Sequence, residues 1–148
     1  MSATTEPIHV YITLANLTKA TILGSGDIIG ETKFTNLDNL KLAISGSGDI
    51  KLEVYSKTTV AAITGSGNML VKGSADSNTV SITGSGDFNG YDFLANTSKV
   101  QITGSGDSQV TAKESLDISI TGSGDVYYKG TPSLKSRIVG SGDVYAKN

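Results

Sequence analysis

The sequence predicts an all-β protein, a right-handed, single-stranded parallel β-helix of about seven to eight stacked coils. Gly-Ser-Gly recurs seven times, at steps of 22, 19, 19, 20, 18 and 18 residues, and Asp follows it in six copies. Apolar and polar residues alternate on both sides of each copy, which is the period of a β-strand. A repeat of 18–22 residues with several short strands buries its apolar side chains only when identical coils stack.

The repeated motif predicts one turn in each coil and holds 14 of the 18 glycines. Asn replaces Asp in the third copy. The predicted structural turns are Gly24, Ser25, Gly26, Asp27; Gly46, Ser47, Gly48, Asp49; Gly65, Ser66, Gly67, Asn68; Gly84, Ser85, Gly86, Asp87; Gly104, Ser105, Gly106, Asp107; Gly122, Ser123, Gly124, Asp125; and Gly140, Ser141, Gly142, Asp143.

The flanks of the motif predict a strand on each side. Ile stands two residues before every copy, from Ile22 to Ile138. The residues four before the motif and directly after its Asp or Asn share this parity and are mostly apolar, so they form one inward ladder with coils about 4.8 Å apart. Parallel connections are almost always right-handed, which sets the predicted hand.

The ends of the chain complete the domain prediction. The segment 8–14 also alternates and predicts a degenerate first coil, whereas Gly130-Thr131-Pro132 predicts a late turn. We expect residues 1–7 to be a disordered or cloning-derived tail, and residues 8–148 to form a single β-helix domain.

Each residue type of the motif suggests a role. Gly permits a positive φ at a corner or a close approach of the opposite wall, and we favour the corner. Ser either forms an outward ladder or is the exposed apex of the turn. Stacked Asp side chains repel. We expect a local Asx-type hydrogen bond to relieve this repulsion, with cation binding as the alternative.

Composition excludes several functional classes. A net charge of −2 from 12 basic and 14 acidic residues gives no basic surface for nucleic acid. The absence of Cys removes disulfides, thiolate metal sites and Cys nucleophiles. No apolar run approaches the roughly 20 residues that span a bilayer. The start, MSATTEPIHV, does not read as a secretory signal.

The recurrent Ile-x-Gly-Ser-Gly-Asp, from about Ala20 to Val144, resembles the bacterial head GIN domain family, whose members are described as putative autotransporter adhesins. The stretch Tyr128-Lys129-Gly130-Thr131-Pro132 is similar to its near-terminal Tyr-x-Gly-x-Pro element. The resemblance implies a right-handed parallel β-helix, similar in architecture to pectin lyases but without their catalytic residues. It also implies cell adhesion and export to the bacterial envelope or surface. Compared with the family pattern, we expect this chain to lack an export signal and one or more N-terminal coils.

These observations favour a non-catalytic surface-adhesion or glycan-binding module. No catalytic residue, metal ligand or cofactor is predicted. Tyr127 and Tyr145 occupy equivalent outward positions in adjacent coils and are candidate contacts for a glycan or protein ligand. Open coil ends make pairing between chains a further candidate.

Three alternatives remain open. A carbohydrate-active β-helix enzyme would use unrepeated residues such as Asp92, Lys99 and Arg137, which no sequence feature groups together. Calcium-binding repeats place Gly and Asp at nine-residue spacing, half the spacing seen here. The run of Thr64, Thr83, Thr103 and Thr121 before successive motifs resembles a ladder for ice or crystal binding, but is also ordinary strand composition.

We expect calcium to be dispensable for folding, because one Asp per coil provides too few oxygens for an ion that takes six to eight. Excess chelator should leave the melting temperature unchanged, as followed by circular dichroism. A decrease of more than a few degrees would instead indicate a calcium-binding repeat.

Overall fold

The computed structural model describes the backbone of residues 9–12 and all atoms of residues 17–147. Regular structure within these ranges consists of strands only, and every strand pairing is parallel. The predicted parallel β-solenoid is therefore confirmed. The strands are β1 (His9–Ile12), β2 (Lys19–Gly24), β3 (Asp27–Gly30), β4 (Phe34–Gly46), β5 (Asp49–Gly65), β6 (Asn68–Gly84), β7 (Asp87–Gly104), β8 (Ser108–Gly122), β9 (Val126–Lys129), β10 (Ser133–Gly140) and β11 (Val144–Ala146).

Strand register places the motif copies directly above one another. Gly24 pairs with Gly46, Gly46 with Gly65, and the column continues to Gly140. The segment predicted as a degenerate first coil contributes β1, which pairs with β3. The predicted tail, residues 1–7, lies outside the described residues.

The core is a column of isoleucines with further apolar columns beside it. Ile22, Ile44, Ile63, Ile82, Ile102 and Ile120 are all buried. Full burial of such a side chain contributes about 2 kcal/mol relative to exposure. Because each coil repeats the same inward positions, the core extends along the rod without widening.

The longer repeats are accommodated as irregularities. In the 22-residue step the register shifts between Phe34 and Leu37, and Asn36 adopts a φ of 57°. In the 20-residue step β7 carries extra residues between Gly90 and Leu94. Added residues therefore protrude locally and leave the motif column in register.

The two motif glycines are required for different reasons. The first glycine of every copy has a φ between 102° and 128°, a region that L-residues with side chains rarely adopt. The second glycine is buried, and from Gly48 onward a Cβ there would lie closer than 3.0 Å to the preceding coil's glycine carbonyl and isoleucine Cγ2. The favoured corner thus accounts for the first glycine only. At the second glycine, a side chain is excluded by the preceding coil of the stack and not by the opposite side of the same coil.

Backbone hydrogen bonds explain why the coils stack so closely at the motif. The carbonyl oxygen of Gly84 accepts the N–H groups of Ser105 and Gly106 at 2.9 and 3.1 Å. The same pair of bonds recurs on the first glycine of every earlier copy and on those of the two copies that follow, Gly104 and Gly122. A positive φ orients this carbonyl toward the next coil, so the first glycine sets the stacking distance.

The last coil differs from the others in exposure. Leu134 is 42% exposed although Leu116 beneath it is 1% exposed, and Ile138 is 38% exposed although Ile120 is fully buried. Strand β10 pairs only with β8 among the described strands. Pairing of coil ends between chains stays a prediction.

Replacing Gly86 with Ala should destabilise the fold by roughly 2–4 kcal/mol, because the new methyl group meets backbone atoms that cannot move aside. Urea unfolding measures this as a lower midpoint. Ser85→Ala is the matched control, since Ser85 is exposed at the bend. Equal stability of both variants would contradict the close-approach role of the second glycine.

Candidate functional site

The aspartate column, the stacked Asp and Asn side chains of the motif, bonds each coil to the next. Asp107 Oδ1 accepts the N–H of Asp125 at 2.9 Å, and Asp125 Oδ1 accepts the N–H of Asp143 at 2.9 Å. Equivalent bonds run from Asp49 to Asp27, from Asn68 to Asp49 and from Asp107 to Asp87. The carboxylates therefore accept hydrogen bonds from the coil above. These bonds join residues 18 to 22 apart in sequence, whereas the expected Asx-type bond joins near neighbours.

Asn68 marks an exception in this column. The N–H of the following Asp87 bonds to the carbonyl oxygen of Gly67 at 3.3 Å. The bond between coils is thus preserved through the backbone where the carboxylate is absent.

The Ser and Thr columns lie elsewhere on the surface. Motif Ser residues sit at the bend of each coil, and all but the half-buried Ser25 are exposed. The Thr column, Thr64, Thr83, Thr103 and Thr121, is exposed on the strands that precede the motif. These strands lie across the bend from the aspartate column.

A shallow groove runs beside the aspartate column. One depression of about 390 Å³ is lined by residues that include Asp49, Asn68, Asp87 and Asn89. A second of about 180 Å³ shares Asp87 and Asn89 and ends at Tyr127. Because the two share residues of one coil, they form a single groove along the rod.

The outer column forms the other side of this groove. It contains the outward residues two positions beyond the motif Asp or Asn. In register these are Ile29, Lys51, Leu70, Asn89, Gln109, Tyr127 and Tyr145. The groove therefore lies between a column of carboxylates and a column whose chemistry changes from coil to coil.

The candidate contacts Tyr127 and Tyr145 stack on each other at the end of the outer column. Their ring centroids are 5.2 Å apart, with an interplanar angle of 15°. Lys147 Nζ lies 5.3 Å from the Tyr127 centroid and 5.9 Å from that of Tyr145. The Tyr145 hydroxyl donates to Asp143 Oδ2 at 3.2 Å. The structure thus brings the two tyrosines together as an ordered aromatic pair.

Tyr91 belongs to the same surface, although sequence reasoning missed it. It protrudes at the irregularity in β7, where its ring carries Lys129 Nζ at 4.5 Å from the centroid. Thr111 Oγ1 donates to its carbonyl oxygen at 2.7 Å. In the sequence, the 20-residue spacing between Gly84 and Gly104 is the signal that marks the inserted residues around Tyr91.

The tyrosine hydroxyls of this surface have pKa values raised above the ordinary value for tyrosine. Partial burial raises the pKa of Tyr127, and the charges of Asp125 and Asp107 raise it further. The hydrogen bond to Asp143 is the largest cause of the raised pKa of Tyr145. Burial also raises the pKa of Tyr91. All three side chains therefore offer an uncharged ring and a hydroxyl group at neutral pH.

Neither a metal-binding cluster nor the catalytic candidates named from the sequence come together in the part of the chain that is described. No three His, Asp or Glu side chains in residues 17–147 are placed to hold a metal ion. Lys99 and Arg137 lie on strands before the motif, two coils apart, whereas Asp92 lies at the irregularity of β7. The side chain of His9 is outside the described residues.

Comparison with known proteins identifies the family. The model of the family described as "Putative auto-transporter adhesin, head GIN domain" matches residues 2–132. The chain belongs to the head GIN domain family. Family membership supports a surface-adhesion module and an exported or surface location for this head GIN domain. No curated protein sequence matches it significantly.

Solved bacterial structures share the fold of this head GIN domain. A putative adhesin from Bacteroides fragilis is 26% identical with a TM-score of 0.84, the match covering 88% of this chain and 61% of that one. A putative lipid binding protein from Parabacteroides distasonis is 27% identical with a TM-score of 0.76, and the match covers 96% of this chain and 61% of that one. A putative adhesin from the same species is 24% identical with a TM-score of 0.85, and the match covers 95% of this chain and 60% of that one.

The head GIN domain described here spans about three-fifths of the length of these three structures. Its described residues include no helix long and apolar enough to span a membrane.

Replacing Asp107 with Ala should lower stability by about 1 kcal/mol, because the N–H of Asp125 loses its carboxylate acceptor at 2.9 Å and is left with a longer backbone bond like that of Asp87 to Gly67 at 3.3 Å. For a domain of this size that corresponds to a melting temperature about 3 °C lower, which calorimetry detects. Asp107→Asn retains an acceptor oxygen and should melt within a degree of the parent. If both variants melt like the parent, the carboxylate bond does not stabilise the stack.

Proposed function

We propose that this head GIN domain is a non-catalytic adhesion module that binds a surface glycan through the outer column and its stacked tyrosines. The observation that carries this proposal is the ordered Tyr127–Tyr145 pair at the end of a groove lined by carboxylates and amides. An aromatic ring offers a sugar an apolar surface, and the flanking polar groups offer hydrogen bonds.

The scaffold suits such a role because its surface is rigid. Every outward side chain of the outer column stands on a strand paired within the stack. Little backbone conformational entropy is therefore lost when a ligand binds. Weak contacts repeated from coil to coil then add up to a useful affinity.

The proposal places the protein at the bacterial envelope or surface, with a surface ligand as its partner. Family membership supports this location. The proposal assigns no cofactor, metal ion or nucleic acid to the domain, and no catalytic step.

Replacing Tyr127 and Tyr145 together with Ala should weaken adhesion at least tenfold without unfolding the protein. Both rings project from the sheet and neither belongs to the buried core. The measurement is retention of protein-coated beads on glycan-coated and matrix-protein-coated surfaces.

Tyr55→Ala serves as the control, because Tyr55 lies away from the groove and bonds to Glu53. It should adhere like the parent. Unchanged adhesion of the double variant, with an unchanged melting temperature, would remove this surface from the function.

A further inference from the structure

We infer that the groove between the aspartate column and the outer column binds a neutral, linear polysaccharide lying parallel to the rod axis. This inference rests on the proposed adhesive function and specifies its ligand. It assigns the Asn89 and Gln109 amides, alongside the tyrosines, as groups that recognise sugar hydroxyls.

The extent of the groove favours an extended chain over a single sugar. Its lining residues run from Asp49 to Tyr127 and belong to five successive coils. Four coil spacings correspond to about 19 Å. A hexopyranose in an extended chain advances by about one coil spacing, so equivalent sugars meet equivalent positions of successive coils.

The polar groups of the groove match the hydroxyl groups of a sugar chain. Asp49 and Asp87 use Oδ1 in the bonds between coils, and each carboxylate retains further acceptor capacity for a hydroxyl donor. The side-chain amides of Asn89 and Gln109 both donate and accept. Carboxylates and amides in rows thus provide both kinds of hydrogen bond along the groove.

Charge selects a neutral chain over an acidic one. Asp49, Asp87 and Asp107 line the groove, whereas Lys51 is the one cation among its lining residues. An acidic polysaccharide would bring carboxylates or sulfates against this row, and like charges repel most where water is partly excluded. Of the other lysines near this surface, Lys129 and Lys147 lie against tyrosine rings, and Lys72 lines a neighbouring depression together with Glu53.

The aromatic pair defines one end of the path. Tyr127 lines the last depression, and Tyr145 supports it from the next coil. A sugar in this depression contacts the Tyr127 ring while its neighbours follow the amides toward Asn68. The tyrosines and the amides therefore contact different sugars of one chain.

The test compares oligosaccharide length, charge and groove variants by isothermal titration calorimetry. The probes are the dimers and hexamers of β-1,4-linked glucose, β-1,3-linked glucose and β-1,4-linked mannose, with a hexamer of β-1,4-linked mannuronate as the acidic counterpart. At least one neutral hexamer should bind tenfold or more tightly than its dimer and than the acidic hexamer.

The decisive variant is Asn89→Leu with Gln109→Leu, which should weaken binding of that hexamer at least tenfold. Leucine is already accommodated in this column at Leu70. The control is Thr83→Leu with Thr103→Leu, in the same two coils but across the bend, where Leu23 occupies the same column. This control should bind like the parent.

Three results would overturn the binding of a neutral polysaccharide along the groove. These are no binding of any neutral hexamer, tighter binding of the acidic hexamer than of the neutral ones, or binding by the Asn89→Leu, Gln109→Leu variant that equals that of the parent. If bead adhesion still depends on the tyrosines in any of these cases, the adhesive function stands and only the ligand assignment fails. If adhesion does not depend on the tyrosines, the proposed function fails independently.

Discussion

The whole stack depends on how one glycine carbonyl is oriented. A φ near 115° at the first glycine, such as Gly84, presents its oxygen to two N–H groups of the next coil. The second glycine must then lack a side chain, because the coil beneath occupies the space of its Cβ. The carboxylate that follows adds another bond in the same direction. Three of the four motif residues, the two glycines and the aspartate, thus perform one task, which is to hold the next coil at sheet spacing.

Repetition explains how much of the fold could be predicted from the sequence. The isoleucine column and the motif column follow from seven copies in phase, and the register of the strands agrees with both. The inward column of Leu40, Thr59, Asn78, Ser98 and Leu116 could not be predicted in the same way. Its polar members are buried because they are in phase with the isoleucine column, whereas their polarity alone would place them outside.

The candidate site could be predicted only where it repeats. Tyr127 and Tyr145 share a position in adjacent coils, so their proximity follows from the period. Tyr91 lies among inserted residues, where the period no longer determines position. The acceptor role of Asp107 connects residues 18 apart in sequence, whereas turn chemistry considers only neighbours within a few residues. The groove itself is visible only once neighbouring columns are seen side by side.

The direction of the bonds between coils also has a mechanical consequence. The bonds on the motif glycines and aspartates link each coil to the next along the rod, and each coil contacts only its neighbours. Tension on the chain at the exposed C-terminal coil would load one coil interface at a time, as in the opening of a zipper. Each released coil of 18 residues adds about 60 Å of extended chain. A stack built this way lengthens in steps, while the coils that remain stacked keep their surface intact.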